Sequence, residues 1–395
     1  MGHLWQEQVH RFSLQYFQSE PTLDFPSPEY LRLQDVQDQI YSRLFGPKSL
    51  KCRPPARYRL RIAKELIRHI EDAIDNWDTQ VRSSSFTVLV QPQCDGLIWT
   101  LQAVSDDLMS AAAALVATSL PPEMTTAQDR SHTTYHLSLC DKIKDPNEGE
   151  NLFAYPRITI LENRGLIAAG GTTGHRTWEA ALHLGQFLCT NKSLIVGKRV
   201  LDLGTGTGYL AILCAKHLQA AHVTASDGSD DVLNDLIDNL GLNGLQRSTG
   251  LAVEKLQWGS GAVRAGHEKR VGGAPLDVVL GADVTYDQQS IPALITTLQE
   301  LLQLQPNAQV LISAVDRNTE SLQKFLEIGR QERLTIERIP FDEVPAKQQS
   351  GPFYQSNFAI KLFRVSGAFV GRQLCSSSLD VELNQNVHPK GDNSN

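Results

Sequence analysis

Hydrophobic and polar positions follow a helical period in the first third of the chain. Between residues 60 and 77, apolar side chains recur every three or four positions, which places them on one face of a helix. Residues 27–45 predict a further helix, because Ser27 stands at a favourable capping position and Pro28 at the first helical position. The run SDDLMSAAAALVATSL predicts another. We therefore expect a mostly helical N-terminal domain over residues 1–150.

One stretch of this domain, residues 81–102, matches neither of its neighbouring helices. It begins with Val-Arg and ends with Leu-Gln, which can be encoded by codons that carry the two ends of a spliced intron. We interpret the stretch as an aberrant insertion from a gene model, or otherwise as a disordered insertion. A transcript that retains these codons would contradict the first interpretation.

From residue 199 onward the pattern changes to short β-rich runs that are mostly separated by helical segments. The runs KRVLDLG, HVTASD, GLAVEKLQW, LDVVLGAD and AQVLISAV predict a parallel sheet, because strands that alternate with helices form βαβ units. Two later runs, LTIERI and SNFAIKLFRV, have little helix between them and predict a closing β-hairpin. We expect an α/β domain over 151–365, followed by a disordered tail over 366–395 that is rich in Ser, Asn and Gly.

Composition and charge narrow the class of protein. The chain has 395 residues, 41% of them hydrophobic, and a formal net charge of −7, so direct binding to nucleic acid is not expected. It contains no long apolar run and no secretory signal pattern, which argues against a membrane protein. Six scattered cysteines without a CxxC pair indicate free thiols, a cytoplasmic location and no structural zinc. His132 and His136 lie in a predicted strand and are interpreted as ordinary strand residues.

The first predicted strand of the α/β domain ends in a glycine loop, VLDLGTGTGYL. Its glycines, Gly204, Gly206 and Gly208, have the G-x-G-x-G spacing of methyltransferases that bind S-adenosylmethionine, and not the G-x-G-x-x-G spacing of dinucleotide sites. Such a loop allows close approach of the backbone to a ligand, although a tight turn without any ligand has the same pattern. Asp227 ends the next strand, where a carboxylate can accept hydrogen bonds from ribose hydroxyls. The alternative for Asp227 is a helix cap.

Polar and aromatic residues follow the later strands at the edge where open parallel sheets bind ligands. Asp283 and Tyr286 come directly after the fourth strand, although a helix cap and a surface aromatic would give the same pattern. Trp258 closes the third strand and could stack on adenine, whereas most indoles belong to a core. Trp178 precedes the first strand and could contact the same pocket. Nothing in the sequence provides a metal site.

With these residues in view, the chain resembles the seven-strand protein-lysine methyltransferases. TTGHRTWEAALHLGQFL, VLDLGTGTG, LQWG and GADVTYD follow the order and spacing of that family. The resemblance implies an α/β fold with a Rossmann-like seven-strand sheet and an N-terminal helical extension. Asp202 departs from the family's more frequent Glu but keeps its charge. The resemblance also implies S-adenosylmethionine as the cofactor, held by Trp178, Gly204, Thr205, Gly206, Asp227, Trp258 and Ala282.

The N-terminal part narrows the resemblance further. PPARYRLRIAKELI and ITILENRGLIAAGGTTG are similar to the branch that methylates a lysine of translation elongation factor 2. The resemblance implies that Asp283 captures and orients the substrate lysine and that Tyr286 forms the wall of its channel. The alternatives are a methyltransferase with another substrate, an inactive cofactor-binding scaffold and a nicotinamide-dependent oxidoreductase. Methyl transfer to DNA bases is disfavoured, because no Asn-Pro-Pro-Tyr motif follows the fourth strand.

Overall fold

A computed structural model of the chain describes residues 4–47, 49–83, 103–118, 130–140, 155–165, 173–259, 261, 263, 275–317, 319–355 and 357–367. Of the predicted insertion, residues 81–83 continue a helix, and the remainder lies outside the described residues. The predicted tail lies outside them from residue 368 onward. Within the described ranges, no helix combines the length and the apolar character needed to cross a membrane.

The N-terminal part is helical, as the apolar pattern predicts. Its buried side chains form a core of their own, which includes Phe12, Tyr16 and Leu66. A separate small cluster joins the fourth and fifth helices through Ala63 and Leu115. The helices are α1 (Leu4–Phe17), α2 (Pro28–Leu31), α3 (Gln34–Leu44), α4 (Ala56–Ser83) and α5 (Asp106–Ala117).

The prediction of one helix over 27–45 is wrong, because a short turn separates α2 from α3. Leu31 and Val36 are five positions apart, which would place them about 140° apart around a continuous helix. The turn lets both side chains face the core, and neither is more than 1% exposed. Pro28 is the first helical residue, as predicted, whereas the side chain of Ser27 forms no capping hydrogen bond.

Two antiparallel strands connect the helical part to the rest of the chain. They are β1 (Ser131–His136) and β2 (Arg157–Glu162), so the predicted domain boundary at residue 150 falls between two paired strands. His132 and His136 are residues of β1, as predicted. Tyr135 and Ile158 pack into the core of the α/β domain, which ties the hairpin to that domain.

The remaining strands form one seven-stranded sheet of order β5-β4-β3-β6-β7-β9-β8. Strands β3 to β7 run parallel, and β9 pairs antiparallel with both β7 and β8, which confirms the predicted α/β fold and its closing hairpin. The strands are β3 (Arg199–Leu203), β4 (His222–Asp227), β5 (Leu251–Lys255), β6 (Val278–Ala282), β7 (Gln309–Val315), β8 (Leu334–Ile339) and β9 (Ile360–Gly367). The accompanying helices are α6 (Glu179–Thr190), α7 (Tyr209–Ile212), α8 (Asp230–Leu242), α9 (Ile291–Leu304) and α10 (Thr319–Gln331).

Both faces of the sheet are covered, which explains why most residues of its central strands β3, β4, β6 and β7 are buried. Val200 of β3 belongs to the core under α6, α7 and α8. Its neighbour Leu201 belongs to the core under α9 and α10, because successive side chains of a strand point to opposite faces. With both faces covered by helices, the carboxyl ends of the strands remain as the place for polar chemistry.

Two asparagines, Asn239 of α8 and Asn243 directly after it, pair with the edge of β2 that β1 leaves free. The side chain of Asn243 accepts a hydrogen bond from the Thr159 N–H at 3.1 Å and donates one to the Thr159 carbonyl at 2.7 Å. Asn239 accepts from the Leu161 N–H at 2.8 Å and donates to the Thr207 carbonyl at 3.0 Å. The two amides act as a substitute for a neighbouring strand and satisfy backbone groups that burial would otherwise leave unpaired.

Replacing Asn243 by alanine should therefore lower the free energy of unfolding by about 1–2 kcal/mol, because two partly buried backbone groups of Thr159 lose their partners. Denaturant unfolding monitored by circular dichroism would measure this loss. The matched control is Ile237→Ala on the exposed side of α8, which should change stability by less than about 0.5 kcal/mol. Equal effects of the two substitutions would contradict this role of Asn243.

Candidate active site

The glycine loop turns the chain from β3 into α7 through left-handed backbone conformations. Gly204, Gly206 and Gly208 have φ angles of 64°, 53° and 86°, which residues with a Cβ rarely adopt. A Cβ at Gly208 would also lie 2.3 Å from Cδ1 of Leu236. Gly208 is thus required for packing between the loop and α8.

A cavity of about 650 Å³ opens above this loop, at the carboxyl ends of the strands. All but one of the residues predicted for the site line it. Gly208 is the exception, because it is turned toward α8. The predicted residues that line the cavity are Trp178, Gly204, Thr205, Gly206, Asp227, Trp258, Ala282, Asp283 and Tyr286.

Asp227 ends β4 and faces the glycine loop. Its carboxylate accepts a hydrogen bond from the Gly206 N–H at 3.2 Å and one from the Ser229 N–H at 3.1 Å. Burial raises the pKa of Asp227, and these backbone donors partly oppose the rise. Ser229 occupies the cap position of α8 without a side-chain capping bond. Asp227 therefore holds the loop closed and presents a carboxylate to the cavity.

Asp202 lies on β3 beneath the loop and is only 1% exposed. Its carboxylate accepts a hydrogen bond from the Thr205 hydroxyl at 2.6 Å, and the backbone N–H of Ala211 donates to it as well. Burial raises the pKa of Asp202 to about 7, and the neighbouring charge of Asp227 adds to the rise. The carboxyl group thus titrates close to neutral pH.

Asp283 stands at the end of β6, at the opposite wall of the cavity. Its φ angle of 54° is unusual for a residue with a side chain, and its N–H donates to the Ser313 carbonyl at 2.8 Å. The residue is 8% exposed, and burial raises the pKa of its carboxyl group, while the nearby Arg317 lowers it. The backbone N–H of Val315 also donates to this carboxylate. Asp283 is thus an oriented carboxylate with one adjacent cation.

A network of charged side chains connects Asp283 to the start of α6. Arg317 approaches Asp283 to 3.3 Å and Glu179 to 2.6 Å, and Glu179 also pairs with Arg176 at 3.0 Å. Both guanidinium groups lie over the indole of Trp178, with Cζ atoms 4.5 Å and 4.2 Å from the ring centroid. The sequence analysis missed all three charged residues. Arg317 follows the end of β7 by two positions. The rule that parallel sheets bind ligands at the carboxyl ends of their strands, which identified Asp283, therefore also applies to Arg317.

Comparison with known proteins identifies the reaction for which the residues of this cavity are arranged. Residues 160–331 match a family model described as lysine methyltransferase. A protein-lysine N-methyltransferase EFM3 of Chaetomium thermophilum is 46% identical over 355 residues, which is 90% of this chain and 96% of that protein. The chain belongs to the lysine methyltransferase family.

More distant relatives carry the same description. The protein-lysine N-methyltransferase EFM3 of Saccharomyces cerevisiae is 35% identical over 43% of this chain and 52% of that protein. The human protein-lysine N-methyltransferase EEF2KMT is 30% identical over 47% of this chain and 60% of that protein. The chain is thus an S-adenosylmethionine-dependent protein-lysine methyltransferase that acts on a protein, which confirms the family expected from its motifs.

The cavity of this methyltransferase fits its cofactor. S-adenosylmethionine carries a positive sulfonium and an α-ammonium group, and the cavity is lined beside the glycine loop by the carboxylates of Asp202 and Asp227, whose pKa values burial raises. A bound cation would stabilise the ionised form of these carboxylates and lower their pKa values, so the cavity favours a positively charged ligand. Asp227 can accept hydrogen bonds from ribose hydroxyls, while Gly204 and Gly206 let the backbone approach closely.

Two aromatic residues mark opposite regions of the cavity. Trp258 stands close to the glycine loop, where a Cβ on Gly204 would lie 3.3 Å from its ring. Its indole also packs against the core under α9, so the residue joins the core and lines the cavity. Tyr286 is 51% exposed and lies at the opening. This placement fits the predicted channel wall, and the contacts of both residues with cofactor and lysine stay predictions.

We expect Asp227→Asn to raise the dissociation constant for S-adenosylmethionine about 10- to 100-fold, because the amide has one acceptor oxygen in place of two and no charge. Isothermal titration calorimetry would measure the constant. The matched control is Asp230→Asn, which removes an equal charge from an exposed pair with Lys255. A change of less than threefold in the Asp227 variant would contradict its role at the cofactor.

The pKa of Asp202 generates a second prediction, about pH and stability. Since its folded-state pKa of about 7 exceeds the unfolded value of about 3.9, its contribution to stability is full below the unfolded value and is lost as pH rises through 7. Asp202→Asn cannot ionise, so between pH 5 and 8 it should gain up to about 3 kcal/mol relative to the wild type. Chemical denaturation at several pH values would measure the difference, with the surface variant Asp231→Asn as the control. Parallel curves for the wild type and the Asp202 variant would exclude this titration.

Proposed function

We propose that this methyltransferase modifies a lysine of translation elongation factor 2 and that it acts in the cytoplasm. The similarity of the two N-terminal motifs to the branch that methylates this factor supports the substrate. The scattered cysteines, which lack a CxxC pair, support a reducing compartment. One observation supports the proposed reaction site: Asp283 and Tyr286 line the same cavity as the predicted cofactor residues.

The motif ITILENRG lies at a junction between the N-terminal helices and the active site. Glu162 accepts a hydrogen bond from the Thr177 N–H at 2.7 Å and another from the Tyr135 hydroxyl at 2.7 Å. Arg164 donates to the Ser19 carbonyl at 3.1 Å and pairs with Glu20. The helical part is thus held against the segment that enters α6, and we propose that it helps to recognise the protein substrate.

The reaction needs a neutral lysine amine. The reference pKa of lysine is about 10.4, so deprotonation at pH 7 costs roughly 4–5 kcal/mol. When bound, S-adenosylmethionine supplies an electrophilic methyl group. The lysine proton would pass to water first, so that the amine nitrogen has the lone pair with which it can accept that methyl group.

Asp283 captures and orients the incoming ammonium group, because a buried carboxylate attracts a cation at the opening of the cavity. The same charge opposes loss of the proton, so Asp283 is not a simple activating base. Tyr286 forms the wall that excludes water and aligns the amine. Alignment of the two reactants can supply on the order of 7–11 kcal/mol of the rate enhancement.

The test is transfer of label from S-adenosylmethionine into an extract of cells that lack the enzyme. We expect one labelled band at the size of elongation factor 2, and mass spectrometry of that band should locate the modified lysine. Asp283→Asn should lower the rate by roughly 100-fold or more and leave cofactor affinity within about threefold, because the amide keeps the shape of the site and loses its charge.

The matched control is Asp342→Asn, because Asp342 is an exposed carboxylate that pairs with Arg338. This variant should label as the wild type does. Label on a different protein would disprove the proposed substrate and leave the reaction site standing. Full activity of Asp283→Asn would disprove the role of that carboxylate.

A further inference from the structure

Four charged groups form one network beside Trp178, and their charges balance one another. Arg176 and Arg317 provide two positive charges, and Glu179 and Asp283 provide two negative ones. The chain of contacts runs through Glu179, which pairs with both guanidinium groups. Asp283, the carboxylate proposed to receive the lysine, therefore belongs to a group whose formal charge is zero.

Neutrality of this group matters for a lysine methyltransferase. A lone carboxylate beside the substrate amine would hold it as an ammonium ion, which has no lone pair with which to attack. A carboxylate already paired with a cation can still accept a hydrogen bond from the incoming group and attracts its proton less strongly. Capture of the lysine and release of its proton are then compatible at one site.

We propose that Arg317 is a positioning residue for methyl transfer: its guanidinium orients and compensates Asp283, so that the bound lysine loses its proton to water at a lower pH. Three contacts fix the guanidinium, with Asp283, Glu179 and the face of Trp178. Arg317 acts through Asp283, with no bond formed or broken on Arg317 itself. This inference rests on the proposed role of Asp283.

The other charged groups around Arg317 leave this balance intact. Its neighbour Asp316 pairs with Lys361 of β9 at 2.7 Å, which forms a neutral pair. Tyr286 lines the cavity next to Asp283. Around Asp283 itself, the charges that bear on its carboxyl group are those of Arg317, Glu179 and Arg176. Asp287 also lines the cavity, and its carboxylate accepts hydrogen bonds from the N–H groups of Gln289 and Ser290. Within the described part of the chain, the charged side chains that act on Asp283 are therefore the other three of this network.

The experiment is the pH dependence of kcat at saturating substrate, because kcat reports the ionisations of the enzyme–substrate complex. The substrate is elongation factor 2, or whichever purified protein the labelling experiment identifies. Arg317→Gln leaves a net negative charge beside the amine. The ascending limb of the curve of kcat against pH should therefore move to higher pH by about one to two units. At pH 7 the variant should then lose about tenfold or more in kcat and regain it near pH 9.

Glu179→Gln provides a matched variant with the opposite sign. It leaves a net positive charge, so the ascending limb should move to lower pH. The double variant Arg317→Gln/Glu179→Gln restores a sum of zero and should return the limb toward its wild-type position. Arg317→Gln should also keep or lower KM, because the uncompensated carboxylate holds the ammonium more tightly. Calorimetric binding of S-adenosylmethionine would verify that each variant is folded.

A purely structural role for Arg317 makes a different prediction. The ion pair joins the end of β7 to α6, so its loss would lower kcat by the same factor at every pH. That result, or shifts of equal sign in the two single variants, would overturn the inference. If Asp283→Asn is inactive but the kcat–pH curves of the Arg317 and Glu179 variants do not shift, only the proposed role of Arg317 is disproved. If Asp283→Asn is fully active, the proposed function of that residue fails first.

Discussion

Negative charge held at the carboxyl edge of a buried sheet is the constraint on which the rest of this structure depends. Asp202, Asp227 and Asp283 lie within one residue of the carboxyl ends of three parallel strands, where burial raises the pKa of each carboxyl group. A buried carboxylate is costly unless donors surround it. Asp202 is bound by the Thr205 hydroxyl, Asp227 by the N–H groups of Gly206 and Ser229, and Asp283 by the Arg317 guanidinium.

This requirement extends into the helical N-terminal part. The segment before α6 closes the cavity through Trp178, and its position depends on Thr177, whose N–H is bound by Glu162 of β2. The β1–β2 hairpin in turn is held by Asn239 and Asn243, and the side chain of Asn239 also donates to the Thr207 carbonyl in the glycine loop. The β1–β2 segment is therefore connected by hydrogen bonds both to the glycine loop and to the N-terminal helices.

Residues at the ends of strands could be predicted from the sequence, because their place follows from the topology alone. Asp283, Tyr286 and Trp258 are examples, and all three line the cavity. Gly208 shows the limit: a glycine required for packing against α8 looks the same in sequence as one required for a ligand. Arg317 lies two positions after β7 and satisfies the same positional rule as Asp283, but the sequence does not show which residues it pairs with. Its importance comes from contacts with Glu179 and Asp283, which only folding brings together.

The ionic network also explains why an acidic residue is compatible with a reaction that consumes a neutral amine. An isolated carboxylate at the position of Asp283 would bind the lysine well and activate it poorly, since the same attraction opposes both steps. Pairing with Arg317 separates the two requirements: geometry is retained, because the carboxylate still accepts hydrogen bonds, while the local charge falls toward zero. The indole of Trp178 contacts both guanidinium groups, and these cation–π contacts help to position the two positive charges without adding a negative charge to the network. Binding and deprotonation of the lysine therefore depend on different members of one network.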